Sequence, residues 1–136
     1  MKKKIFGLLL CAMACFGGIG VVNAATSWTN DVTFYNIPGG GNYKTNYNKP
    51  NTKTTNTQTA TFKATKMTAA LGNSARVVNS NGDLRSDWVG LSKNSSKYAK
   101  EKNAAKNFYF YARVKSNTIE WGNNNDVVLN FSADKK

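Results

Sequence analysis

Apolar and polar residues alternate most regularly over residues 106–117, KNFYFYARVKSN, which hold four aromatic rings and three cations. Strand side chains point by turns to opposite faces, so Phe108, Phe110, Ala112 and Val114 share one face and Tyr109, Tyr111, Arg113 and Lys115 the other. The first face is predicted to pack with Phe62, Trp88 and Val128, leaving the second at least partly exposed. The opposite phase would bury two cations at a cost of several kcal/mol, whereas each phenylalanine gains roughly 1.5–3 kcal/mol on burial.

The same period of two recurs elsewhere. Residues 32–37, VTFYNI, read as a short strand that ends at the Pro-Gly run 38–42. Along 52–66 the threonines Thr55, Thr57, Thr59 and Thr61 fall on one face and Ala60, Phe62 and Ala64 on the other, and the second half is predicted to be a strand. Residues 74–91 form a predicted β-hairpin about Asn81-Gly82, a dipeptide suited to the positive φ angles of tight turns. Five lysines and scattered alanines over 93–106 make no single stripe, so that segment reads as a loop that admits a short helical turn. After a turn near 121–126 comes a last strand, 127–131, VVLNF. Five to seven strands with turn residues between them predict an all-β fold, a small antiparallel β-sandwich of immunoglobulin-like architecture.

The N-terminus departs from this pattern. Lys2, Lys3 and Lys4 precede an apolar run from Ile5 to Val22, interrupted by Gly7, Gly17, Gly18 and Gly20 and closed by Val22-Asn23-Ala24. This is the form of a secretory signal peptide, so residues 1–24 are expected to be a cleaved leader and 25–136 a single β-rich domain. The alternatives for the leader are an uncleaved membrane anchor and lipidation at Cys15, for which Ala12 is a poor residue three positions upstream. Both cysteines, Cys11 and Cys15, lie in the leader, so the exported domain would have no disulfide to staple it. The leader takes three of the 19 basic residues, leaving 16 against seven acidic ones, a net charge of +9 on 112 residues. A charge of that size favours anionic partners. A secreted or cell-surface location would supply wall polymers and lipid head groups.

Composition also narrows the chemistry. With no histidine anywhere and no cysteine after the leader, histidine general-base catalysis, a cysteine nucleophile and the usual zinc sites are excluded. Ser132 and Lys135 have the spacing of a serine–lysine pair but stand at a C-terminus expected to fray. Asp83, Asp87, Glu120 and Asp126 are scattered about turns, not paired for glycoside hydrolysis. Residues 79–83, NSNGD, resemble the start of a calcium loop without its closing glutamate, and a tight turn accounts for the same letters. The threonine row is read as strand propensity in preference to an ice-binding strip. No enzymatic activity, cofactor or metal is expected.

The aromatic and basic face remains. It shares its composition with the base-stacking strand of an RNA-recognition motif, but Asn107 stands where that motif has glycine, and the helices of that fold are missing. No specific nucleic acid is expected as partner. Tyr109, Tyr111, Arg113 and Lys115 are the candidate polymer-binding residues, although an exposed sheet face with ordinary cross-strand pairing is the reading preferred for them on sequence alone. The leader, VTFYN, YKTNYNK, TKTT, RSDWVGL, FYFYARVKS and the terminal NFSADKK together resemble a family of small exported proteins of Gram-positive bacteria, the domain of unknown function 2712 family. Phe131 stands where such relatives are expected to carry tryptophan. The resemblance implies export and no enzymatic activity. The expected function is that of a secreted, non-enzymatic, basic β-domain associating with an anionic cell-wall polymer or membrane surface. The alternative is a bacteriocin-like effector that seats Trp28, Trp88 and Trp121 in the membranes of neighbouring cells.

Overall fold

The computed structural model describes residues 26–122 and 124–136, so the leader expected at 1–24 lies outside the described residues. Nine strands, and no helix among the described residues, make the fold. They are β1 (Thr29–Ile37), β2 (Tyr43–Thr45), β3 (Asn51–Thr52), β4 (Thr59–Met67), β5 (Asn73–Val78), β6 (Val89–Gly90), β7 (Ser96–Lys100), β8 (Tyr109–Ser116) and β9 (Asn125–Ser132). One sheet has the order β1-β9-β4-β7; the other runs β2-β8-β5-β6, with β3 continuing along the β8 edge after β2. All pairings between named strands are antiparallel. The two sheets pack as a sandwich, as the alternation predicts, but with nine strands where five to seven were expected.

The core lies between the inward rows: Val32, Phe34 and Ile37 of β1, Ala60, Phe62 and Ala64 of β4, Val127, Leu129 and Phe131 of β9, and Phe110, Ala112 and Val114 of β8. Phe62 and Phe131 face each other across β4 and β9 and stack at 5.1 Å between centroids. Strand β1 keeps its apolar residues inward despite two register shifts in its pairing with β9. Asp31 and Asn36 take positive φ there, a conformation Asp and Asn tolerate better than most residues. Two β9 side chains support the shifts: Asn130 Oδ1 accepts the Asp31 amide at 3.2 Å, and Asp126 Oδ1 accepts the Asn36 amide at 3.0 Å.

The hairpin turns where predicted. Asn79 N donates to Asp83 O and Gly82 N to Asn79 O, and Gly82 carries the positive φ of 82°. Asn79 Oδ1 accepts the amides of Asn81 and Asp83, so this oxygen of the suspected calcium loop serves the turn itself.

Five expectations are corrected. The segment 93–106, expected to be a loop, contains β7, which pairs with the first half of β4. Phe108, expected in the core, is 63% exposed. It precedes β8, and Asn107, with φ of 71°, breaks the alternation just before it. Trp88 and Val128 are half-buried and point away from the core, because their neighbours Val89 and Val127 take the inward positions. The C-terminus does not fray: Ser132, Ala133 and Asp134 have no exposed surface, while Lys135 is exposed. Thr61, placed in an outward threonine row, is likewise buried and donates to Asp134 O.

Candidate functional site: an aromatic and cationic sheet face

Strand β8 carries the predicted site across the outer face of its sheet, and its neighbours complete it. Arg76 of β5 lies directly opposite Arg113, Thr45 of β2 lies on the other side of Arg113, and Tyr43 lies opposite Lys115. Like charges in direct cross-strand register repel, so something must hold the guanidinium groups in place. Aromatic rings do this. Arg113 lies 4.4 Å from the Tyr43 ring centroid and donates through Nε to Thr45 Oγ1 at 2.7 Å. Arg76 lies 4.2 Å over the Trp88 ring, and Lys115 Nζ sits 4.7 Å from the same ring. Cation–π contacts of this kind contribute about 0.5–2 kcal/mol each.

Tyr111 meets Tyr47 edge to face at 5.2 Å, and Tyr109 is exposed at the far end of the strand. Arg113 is more enclosed than expected, at 9% exposure, because the Tyr43 ring covers its guanidinium and Gly82 of the hairpin turn lies beside it. Burial, and next the charge of Arg113, hold the Arg76 guanidinium below its ordinary pKa against the opposing pull of Asp87. Among the described residues, none of Arg76, Arg113 and Lys115 forms a salt bridge. The Arg76 Nε is buried without a partner.

All four predicted residues are therefore brought to one face. Arg76, Tyr43, Tyr47 and Trp88 were missed. Arg76 had a legible signal, since it alternates with Ala75 and Val77. Tyr43 and Tyr47 come from short segments that no alternation marks, and only pairing with β8 places them.

A second cluster has no sequence signal at all. Lys53, fully buried, donates from Nζ to Glu101 Oε2 at 2.5 Å and to Ala133 O at 2.6 Å, with Asp134 Oδ1 at 3.6 Å. Asp134 accepts four further hydrogen bonds, from the amides and hydroxyls of Thr54 and Thr55. Burial raises the Asp134 pKa, but the Thr55 and Thr54 donors outweigh it and leave the carboxyl below its ordinary value. Glu101 goes the other way. Burial pushes it up to about 7, against the pull of the Lys53 ammonium and with a smaller push from Asp134. Its Oε1 has no partner. The trio ties the chain after β3 to the residue after β7 and to the C-terminus. With all three side chains closed to solvent, no external substrate reaches it.

The remaining carboxylates serve the framework. Asp87 pairs with Lys102 at 2.9 Å, Asp83 lies 3.7 Å from Arg85, and Glu120 Oε2 accepts the Leu71 amide. Comparison with known proteins found no match among family models, curated proteins or solved structures. The molecule is thus defined by its architecture and its surface: a β-sandwich with cations and aromatic rings gathered on the outer face of one sheet.

Proposed function

We propose that the protein is an exported, non-enzymatic basic domain that associates with anionic polymers of the cell envelope through the outer face of β2, β8 and β5. The observation that carries this reading is the arrangement of Arg76, Arg113 and Lys115, gathered on one face, stacked on Trp88 and Tyr43, and without an ion-pair partner among the described residues. Folding alone would favour a carboxylate opposite at least one of them. A phosphate or carboxylate polymer would supply the missing countercharge. The leader, and the likeness to exported proteins of Gram-positive bacteria, support an extracellular setting. Binding of the 25–136 chain to purified cell walls should be strong at low salt and fall steeply as the screening length drops below roughly 8 Å. It should also fall in an Arg76→Gln, Arg113→Gln, Lys115→Gln variant. Equal binding by wild type and variant would refute the assignment.

A second reading, action on membranes, draws support from one end of the sandwich, where Trp121 is 91% exposed and Ile119 and Leu71 are also exposed. Tryptophan favours the membrane interface. Dye release from anionic vesicles, lost in Trp121→Ser, would establish it; no release by the wild type would dismiss it.

A further inference from the structure

Beside the cationic face lies a cleft of about 400 Å³, lined by Asn81, Arg85, Asn103, Phe108 and Tyr109 among others. This is within the roughly 300–1,000 Å³ of small-ligand sites. Resting on the reading of the face as a polymer-binding surface, we propose that this cleft holds a sugar ring, so that the polymer recognised is an acidic glycan and not a bare polyphosphate.

Three observations carry the assignment. First, Phe108 and Tyr109 are consecutive yet both exposed, at 63% and 61%. Alternation puts Tyr109 outward and would hide Phe108, and the positive φ of Asn107 just before Phe108 breaks that alternation. They offer apolar ring surface to the C–H face of a pyranose. Second, among the described residues the side-chain amides of Asn81 and Asn103 make no hydrogen bond, while that of Asn79 is consumed by its turn and by Asp83. A free amide presents one carbonyl acceptor and an NH2 donor group. Vicinal hydroxyls match both. Phosphate oxygens, having no proton to give, can engage only the NH2 donors and leave the exposed carbonyls to water, so the amides favour a hydroxyl-bearing ligand. Third, the cleft and the face are continuous, since Tyr109 and Tyr111 line the one and lead along β8 to Arg113 and Lys115 of the other. From Tyr109 to Arg113 a strand advances roughly 13 Å. A ligand that fills the cleft and reaches the guanidinium groups is therefore an extended chain, with a sugar ring at one end of the site and an acidic group at the other.

The test is calorimetric titration of the 25–136 chain with three probes: a uronic-acid oligosaccharide of at least four units, its carboxyl-reduced neutral counterpart, and inorganic polyphosphate. The acidic oligosaccharide is expected to bind most tightly. Phe108→Ala and Asn103→Ala should each weaken it by about tenfold, the loss of one well-placed contact, and leave polyphosphate binding unchanged. Arg113→Gln should weaken both acidic probes. Phe108 is exposed, so its truncation should leave the melting temperature unchanged and separate binding from folding. Unchanged oligosaccharide affinity in Phe108→Ala, or polyphosphate binding as tightly as the acidic oligosaccharide, would overturn the sugar subsite while leaving the cationic face standing. Failure of both acidic probes at low salt would overturn the face and the subsite together.

Discussion

Glu101 makes the stability of the sandwich depend on pH in an unusual direction. Its carboxyl is buried against Lys53 and Asp134 with one oxygen unpartnered, and its pKa is raised from 4.5 to about 7. Between these two values the folded state holds a proton that the unfolded state has lost, so raising the pH favours unfolding. Stability from this group is fully present below about pH 4.5 and is lost as the pH rises through about 7. The shift corresponds to about 3 kcal/mol, a large share of the roughly 5–15 kcal/mol that holds a domain folded. Asp134 acts oppositely: its pKa is depressed, so its contribution is present above the ordinary aspartate value and fades as the pH falls below it. Together these two groups favour the folded state more in mildly acidic than in alkaline solution. Urea unfolding from pH 4.5 to 8 should show this as a falling midpoint, equivalent to a drop in melting temperature of roughly 10 °C or more. Glu101→Gln keeps an acceptor for the Lys53 ammonium but cannot titrate, so its profile should be flat over that range. General charge repulsion acts on both proteins alike, and the difference between their profiles isolates Glu101. A wild-type midpoint that stays level or rises between pH 5 and 7 would refute the reasoning.

Three further outcomes follow from the packing. Lys53→Met leaves Glu101 and Asp134 without their shared cation and should cost about 3–5 kcal/mol near pH 8, but less near pH 5, where Glu101 can take up a proton; denaturant melts at the two pH values measure the difference. Phe110→Ala opens a cavity beside the inward row of β8 and should destabilise by about 3–5 kcal/mol, as read by equilibrium unfolding. A Cβ at Gly39 would lie 2.4 Å from Glu120 O and 2.8 Å from Gly122 O, both backbone atoms. Gly39→Ala should therefore push apart the loops joining β1 to β2 and β8 to β9, costing about 1–3 kcal/mol, with amide exchange rising at Gly40 and Gly41.

Local pattern determined much of this protein. Alternation in 32–37, 59–66, 106–117 and 127–131 marked four strands. Gly82 marked the hairpin, and the phase of β8 followed from the cost of burying Arg113 and Lys115 in the core. These features depend on neighbours in sequence, through the two-residue period of a strand and the φ angles that glycine allows. Other features were decided by contacts distant along the chain. Strand β7 exists because β4 offers it an edge, although its own residues, SKYAK, hold a single buried alanine. Arg76 and Trp88 joined the candidate face only through pairing with β8 and stacking on its cations. Phe108 left the core because Asn107 turned the backbone one residue before the strand began. Lys53, Glu101 and Asp134 stand 48 residues or more from the partners their charges meet, and each looks like a surface charge until the sheets close over it. A strand can be read from its period because each side chain reports its own face. A buried ion cluster cannot, because its stability comes entirely from groups that only the folded chain brings together.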